Sequence, residues 1–210
     1  FHRDGFFVVE EALPDSIVER LRELTAEVVQ EDRVRLGVKD NRYHGVIDFI
    51  GQRDEFLQLV DWYRTVPKVC GLLGSEIKLY HTVGMETPKA EGWSLENHHD
   101  WANWHTDTGN LTRDLAQGGF NPMISLKVGY VLSDLTAPNM ANFTCLPGSQ
   151  NSIEYPGANR QNIEKEAIQV LAPAGSAIIF DRRLWHTPSL NLSSTTRSVS
   201  YTHLRAHETS

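Results

Sequence analysis

The chain has little cysteine and no surplus of basic residues. Only Cys70 and Cys145 occur among 210 residues, so a disulfide framework is not expected and a reducing compartment fits. The formal net charge is -7, which argues against nucleic acid or an anionic membrane surface as the main partner. A small molecule is therefore the expected partner.

Long apolar runs and a starting methionine are also missing. The apolar runs, such as residues 177–180, are far shorter than the roughly 20 residues that cross a bilayer, so no membrane span is expected. The chain begins at Phe1 inside a strand-like run, and we expect that a native N-terminus with any targeting signal is missing. With no membrane span and no targeting signal in the sequence given, we expect a cytoplasmic location.

The other end of the chain has an unusual sequence. Residues 199–209 read VSYTHLRAHET, which resembles one reading frame of a sequencing adapter. We therefore interpret residues 198–210 as a non-native tail and assign no function to His203 or His207. Residues 1–197 are expected to form a single domain, because a chain of this length buries one substantial core.

The first third of the chain predicts helices after one short strand at residues 5–10. A stripe of apolar residues with helical spacing predicts the first helix, with Asp15 or Ser16 as its cap. Two further short helices are predicted at residues 54–63 and 66–73. The stripe consists of Ile17, Leu21, Leu24 and Val28.

The rest of the chain predicts strands. Short apolar runs alternate with Gly, Pro, Asn and Ser, which is typical of a sandwich or barrel. In residues 124–132 the apolar side chains alternate with Ser125, Lys127 and Gly129, so one face is expected to pack and the other to face a polar space. The pattern favours a mainly β, α+β chain with a helical part at about 1–74 and a β core at about 75–197.

The segment NWHTDTGN, at residues 103–110, holds the first candidate metal ligands. His105 and Asp107 are two residues apart, so in an extended segment their side chains leave the backbone on the same side. His186 is the natural third ligand on a distant strand. Two imidazoles and one carboxylate suit non-haem Fe(II) with open coordination positions, and the chain has too few thiols for a structural zinc site.

A single His-x-Asp triplet occurs often by chance, and its context strengthens the interpretation. Arg197 follows His186 by eleven positions, in a segment that reads as the next strand. Its guanidinium could hold a carboxylate with two hydrogen bonds, whereas a surface salt bridge is the alternative for an isolated arginine.

Together these segments resemble the phytanoyl-CoA dioxygenase type within the Fe(II)- and 2-oxoglutarate-dependent oxygenase superfamily. The resemblance covers nearly the whole chain and implies a double-stranded β-helix (a cupin-like jelly roll) with N-terminal helices packed on it. The segments are RDGFFVVEEALPDSIVERL, WHTD, VGYVLSDLTAPNMANFTCLPGS and AGSAIIFDRRLWHTPSLN, followed by the arginine.

The resemblance also implies a reaction. His105, Asp107 and His186 would hold Fe(II), and Arg197 would pair with the distal carboxylate of 2-oxoglutarate. With O2, such an enzyme hydroxylates a small or medium-sized organic metabolite and converts 2-oxoglutarate to succinate. Related halogenases have a small residue in place of the carboxylate, so an intact Asp107 favours hydroxylation.

Two positions depart from the family pattern. Gln150 stands where many relatives have a histidine that is not a ligand. Pro188 stands where a serine often helps to bind the co-substrate, which leaves Thr187 or Ser189 as substitutes. Lys127 is a further candidate contact of 2-oxoglutarate, with an ordinary exposed lysine as the alternative.

Other residues near the motif are candidate substrate contacts. Trp101 and Trp104 would form an apolar lid or simply a packed rim, and His99 would contact the substrate or remain solvated. Tyr43 and His44, in a predicted loop, could line an entrance. Two rival functions stay open: a non-enzymatic jelly-roll binding protein, and a cupin-type metalloenzyme that does not use 2-oxoglutarate and has no need of the arginine.

Overall fold

Two antiparallel β-sheets form the centre of the protein, whose structure is a computed structural model. It describes residues 1–96, 103–107, 114–115, 117–152, 163 and 165–206. The α-helices are α1 (Asp15–Leu36) and α2 (Val66–Leu73), and 3₁₀ turns cover Phe49–Gly51, Asp54–Leu59 and Ser149–Asn151. The strands are β1 (Phe6–Val9), β2 (His44–Ile47), β3 (Ile77–Thr87), β4 (Ser125–Val131), β5 (Phe143–Cys145), β6 (Ile168–Gln169), β7 (Ala177–Asp181), β8 (His186–Pro188) and β9 (Arg197–Ala206).

The larger sheet has six strands in the order β1-β7-β4-β9-β3-β2, and the smaller sheet has three in the order β6-β5-β8. Neighbouring strands are far apart in sequence, as in β1 beside β7, which is the topology of a jelly roll. The mainly β, jelly-roll fold that the sequence predicts is therefore confirmed. Among the described helices, none combines the length and the apolar character that crossing a bilayer requires.

Helix α1 covers the outer face of the larger sheet with the predicted apolar stripe. Leu21, Leu24 and Val28 are buried in one cluster with residues of β4 and β7. The predicted cap is wrong: the residue before the helix is Pro14, and no side chain caps the first turn. The ring of Pro14 fixes its φ at -66°, which is compatible with the start of a helix without a capping hydrogen bond.

The second predicted helix, at residues 54–63, is a 3₁₀ helix that covers Asp54–Leu59 and ends earlier than predicted. Its buried side chains, Phe56 and Leu59, are three residues apart, which is the period of a 3₁₀ helix. The first third also contributes β1 and β2 to the larger sheet, so residues 1–74 are not purely helical.

Strand β4 lies inside the larger sheet and has two different faces. Leu126, Val128 and Tyr130 pack against the helical layer. Lys127 is on the opposite face, between the two sheets. A second apolar cluster, including Phe143 and Phe180, joins the two sheets over part of this interior, and a cavity occupies the rest.

Strand β9 lies between β3 and β4 along most of its length. Its first residue, Arg197, is opposite Thr87 at the end of β3. Residues 198–206 continue this strand.

A glycine-to-alanine change on β3 tests the packing between the sheet and the 3₁₀ turn. A Cβ atom on Gly84 would overlap the ring of Phe49, which is fully buried and packs at a tilt against the ring of Phe56. We expect Gly84→Ala to lower the free energy of unfolding by about 1–3 kcal/mol, since an overpacked core must shift. Urea unfolding followed by circular dichroism measures the change.

Gly71→Ala is the matched control. Gly71 lies within α2, and no atom lies within 4 Å of the position of its added Cβ. Alanine there should leave stability unchanged or raise it by up to about 1 kcal/mol, because glycine is a poor helix former. Equal unfolding free energies for the two variants would contradict the packing described for Gly84.

Candidate metal centre

The two predicted histidine ligands lie directly opposite each other on neighbouring backbone segments. His105 and His186 form an antiparallel bridge, in which the N–H of His105 donates to the carbonyl of His186 at 3.1 Å and the N–H of His186 donates back at 3.0 Å. Their ring centroids are 4.3 Å apart. The bridge places His105 beside β8 of the smaller sheet, to which His186 belongs. It holds the two imidazoles side by side, although about eighty residues separate them in sequence.

Each imidazole is oriented by a carbonyl group two residues earlier in the chain. Nδ1 of His105 is 2.7 Å from the carbonyl oxygen of Asn103, and Nδ1 of His186 is 2.7 Å from that of Leu184. A carbonyl oxygen can only accept, so both Nδ1 atoms carry a proton and both Nε2 atoms are free to bind a metal when the rings are neutral. Burial lowers the pKa of His186 to about 3, which keeps its ring neutral near pH 7.

Asp107 completes the predicted group. Its N–H donates to the carbonyl of Arg182 at 2.8 Å, and its Oδ1 is 3.8 Å from Nε2 of His186. One ligand atom from each of His105, Asp107 and His186 lies within 4.8 Å of the other two. Two imidazole nitrogens and one carboxylate oxygen in this arrangement fit a divalent transition metal on one side and leave its other side open.

Lys127 lies at the cavity between the two sheets and contacts Asp107. Its Nζ donates to Oδ1 of Asp107 at 2.6 Å, and the two side chains are only 16% and 12% exposed. Burial opposes ionisation of Asp107, but the charge of Lys127 and its hydrogen bond are among the effects that outweigh burial, so the pKa of this carboxyl is lowered. Lys127 was a candidate contact of 2-oxoglutarate, and in the structure it is paired with a candidate metal ligand.

A cavity of about 630 Å³ adjoins this group between the two sheets. Its walls are mostly apolar and aromatic, with Val83 and Met85 from β3, Phe143 from β5 and Phe180 from β7. The cavity is large enough for a small organic molecule next to the three candidate ligands.

Arg197 lines the same cavity and is 5% exposed. Its Nη2 donates to the hydroxyl of Tyr201 at 2.8 Å, and its Nη1 is 3.7 Å from Sδ of Met85. Its Nε has no hydrogen-bond partner among the described residues, and none of their carboxylates forms an ion pair with it. A buried cation without a counter-ion at the wall of a cavity is suited to bind an anion there.

The two hydroxyl candidates beside His186 have different environments. Thr187 lines the cavity, and its Oγ1 accepts a hydrogen bond from the N–H of Asn103 at 3.1 Å. Ser189 is not among the residues that line the cavity. Its Oγ accepts from the N–H of Asn142 at 2.9 Å and donates to the side-chain carbonyl of the same residue, so it supports the backbone instead.

The candidate substrate contacts are only partly at the cavity. Trp104 is buried against Trp185 and Ile163 in a separate cluster, as the packed-rim interpretation expects. Tyr43 lines the cavity. His44 is the first residue of β2, and its Nε2 is hydrogen-bonded to the carboxylate of Asp32. Trp101 and His99 lie outside the described residues.

Sequence reasoning missed the contribution of β3 to the cavity. His81, Val83, Met85 and Thr87 all line it, and Tyr80 does so next to an irregularity in the pairing with β9. His81, Val83, Met85 and Thr87 are each two residues apart, which is the spacing of side chains on one face of a strand, and this pattern in the sequence could have revealed the cavity wall.

Gln150, which stands where many relatives have a histidine, has a structural role in this chain. Its side-chain amide donates to the backbone carbonyls of His2 and Arg3.

Several solved structures share this fold at low sequence identity. HygX from Streptomyces hygroscopicus, solved with nickel and 2-oxoglutarate, has a TM-score of 0.74 and 15% identity, over 97% of this chain and 83% of that one. EctD from S. alaskensis, solved with 2-oxoglutarate and 5-hydroxyectoine, has a TM-score of 0.74 and 17% identity, over 97% and 73%. The epimerase SnoN from nogalamycin biosynthesis has a TM-score of 0.66 and 18% identity, over 97% and 78%.

The family comparison covers most of the chain. No curated protein sequence matches it significantly. The family model for phytanoyl-CoA dioxygenase (PhyH) matches residues 1–199, which include every element from β1 to the start of β9. The protein therefore belongs to the phytanoyl-CoA dioxygenase family and is a non-haem iron, 2-oxoglutarate-dependent oxygenase.

Proposed function

We propose that the protein binds Fe(II) through His105, Asp107 and His186, binds 2-oxoglutarate through Arg197, and hydroxylates a small or medium-sized organic metabolite. The observation that carries this proposal is the convergence of three ligand atoms within 4.8 Å of one another at the wall of a cavity that also contains Arg197. Conversion of 2-oxoglutarate to succinate would accompany the hydroxylation.

The chain's own residues prepare the metal site. Two imidazoles, oriented by backbone carbonyls, and one carboxylate would provide three ligands and leave positions open for the co-substrate and O2. A bound metal would supply the redox chemistry, with O2 as the oxidant and with 2-oxoglutarate giving up two electrons as it is converted to succinate and CO2. The protein supplies the position of the reacting groups and the surrounding charge.

Arg197 would bind the co-substrate, and the apolar walls would keep water from the metal. The guanidinium of Arg197 would pair with the distal carboxylate of 2-oxoglutarate, and Thr187 offers a hydroxyl at the same wall. Phe143 and Phe180 lie beside the ligands, with ring centroids 5.4 Å and 5.1 Å from that of His186. These rings exclude water from the reacting position, which suppresses side reactions.

The substrate is proposed from the cavity and from the neighbouring structures. A cavity of about 630 Å³ suits a metabolite and is mostly apolar. HygX has been solved with hygromycin B bound and EctD with 5-hydroxyectoine, so proteins of this fold accept different small molecules. The neighbour SnoN is an epimerase, so the fold alone does not decide the reaction. The intact Asp107 favours hydroxylation over halogenation, because related halogenases have a small residue in its place.

A spectroscopic titration tests the metal and co-substrate sites together. Anaerobic protein given Fe(II) and then 2-oxoglutarate should develop the visible metal-to-ligand charge-transfer band of the chelate. We expect His105→Ala to abolish this band, because the site loses one of its three ligands. His2→Ala, which changes an exposed histidine far from the ligand group in the chain, is the control and should keep the band.

Two results of this titration would contradict the proposal. A full band in His105→Ala would exclude His105 as a ligand. If iron binds to the unmodified protein and 2-oxoglutarate leaves the spectrum unchanged, a cupin-type metalloenzyme that does not use 2-oxoglutarate becomes the better interpretation.

The proposed role of Arg197 predicts that its removal weakens the binding of 2-oxoglutarate and not that of the metal. Arg197→Ala should weaken 2-oxoglutarate binding about 10- to 100-fold, since a charge-assisted hydrogen-bonded pair is lost. Mn(II) affinity should change little, because Arg197 is not a ligand. Isothermal titration calorimetry of Mn(II), and then of 2-oxoglutarate with the Mn(II)-loaded protein, measures both constants.

Arg197→Lys is the matched control for this prediction. Lysine keeps the charge but loses the planar fork, so its affinity for 2-oxoglutarate should lie between those of the unmodified protein and Arg197→Ala. Equal losses of Mn(II) and 2-oxoglutarate affinity in Arg197→Ala would count against the proposed role.

A further inference from the structure

Thr87 is a polar residue of β3 that lies beside Arg197. It is the last residue of β3, and it is paired in register with Arg197, the first residue of β9. Directly opposite residues of an antiparallel pair have their side chains on the same face of the sheet, with Cβ atoms about 4.5–5.5 Å apart. Both side chains line the cavity. The Thr87 hydroxyl and the Arg197 guanidinium therefore border the same part of its wall.

The hydroxyl of Thr87 is buried at the cavity and is not used by the fold. The residue is 3% exposed, and no hydrogen bond within the described part of the chain involves its hydroxyl. Its backbone is held in place, since the side-chain amide of Asn191 donates to the carbonyl of Thr87 at 2.8 Å. Burying a hydroxyl costs free energy unless it is hydrogen-bonded. A ligand that accepts a hydrogen bond from Thr87 would remove this cost.

The two hydroxyl candidates beside His186 are placed less well for a ligand at Arg197. Ser189 is bonded to Asn142 and does not line the cavity. Thr187 lines the cavity, but it belongs to β8 of the smaller sheet, and its Oγ1 already accepts the N–H of Asn103. Thr87 shares both the sheet and the sheet face of the arginine.

We infer that Thr87 is a further binding residue for 2-oxoglutarate, and that its hydroxyl donates to the same distal carboxylate that Arg197 binds. This inference rests on the proposed function. A carboxylate has about four acceptor sites, so it can accept from a hydroxyl and from a guanidinium at once. Together the two side chains would select a keto acid that carries a second carboxylate at its far end.

The inference predicts that loss of the hydroxyl weakens only a ligand with a distal carboxylate. Thr87→Val puts a methyl group in place of the hydroxyl in a side chain of nearly the same shape. We expect the Mn(II)-loaded variant to bind 2-oxoglutarate about 10-fold more weakly, because a hydrogen bond to a charged group is lost. 2-Oxopentanoate has a methyl group in place of the distal carboxylate, and its affinity should change by less than about 2-fold. Isothermal titration calorimetry measures both affinities.

Thr87→Ser is the matched control, because it keeps the hydroxyl. Its affinity for 2-oxoglutarate should stay within about 3-fold of that of the unmodified protein. Circular dichroism melting of the metal-free proteins tests for a purely structural role. Thr87→Val should melt at the same temperature as the unmodified protein or higher, since it loses a buried hydroxyl that the fold does not use. Thr87→Ala replaces Thr87→Val if the latter does not fold.

The outcomes separate this inference from the proposed function. Equal losses of affinity for the two keto acids in Thr87→Val would overturn the inference, because the effect would then not concern the distal carboxylate. If Thr87→Val binds 2-oxoglutarate normally while Arg197→Ala does not, the proposed function stands and the role of Thr87 is excluded. If the unmodified protein binds 2-oxoglutarate no more tightly than 2-oxopentanoate, the proposed role of Arg197 fails, and the inference fails with it.

Discussion

The paired backbone hydrogen bonds between His105 and His186 are the constraint on which the site depends. Each histidine donates its N–H to the carbonyl of the other, so the two segments cannot slide without breaking both bonds. A shift of one residue would turn one imidazole to the opposite face of the segment. Trp104 and Trp185, the residues before the two histidines, pack in one cluster and hold the same register from outside the cavity.

Charged side chains line the cavity in two places. Asp107 and Lys127 neutralise each other beside the histidines, and both are largely buried. Arg197, at the start of β9, has no carboxylate partner among the described residues. A buried ion pair is tolerated because its partners satisfy each other, whereas a lone buried cation is stabilised when an anion binds. This difference supports the proposal that Arg197 binds a carboxylate of the co-substrate.

The sequence predicts the fold and the ligand group better than it predicts side-chain partners. The spacing of His105 and Asp107 places both on one side of an extended segment by local geometry alone. That Lys127 reaches Asp107, and that Ser189 bonds to Asn142, depends on which strands become neighbours in space. The helix predicted at residues 54–63 is a 3₁₀ helix over Asp54–Leu59, and the sequence did not give its type because an apolar spacing of three residues fits both kinds of helix.

Diffraction from crystals grown anaerobically with Fe(II) tests the central claim most directly. Data collected at the iron absorption edge should give one strong anomalous peak in the cavity, within bonding distance of Nε2 of His105, Nε2 of His186 and a carboxylate oxygen of Asp107. A peak elsewhere in the protein, or a His186 imidazole turned away from the other two residues, would contradict the account.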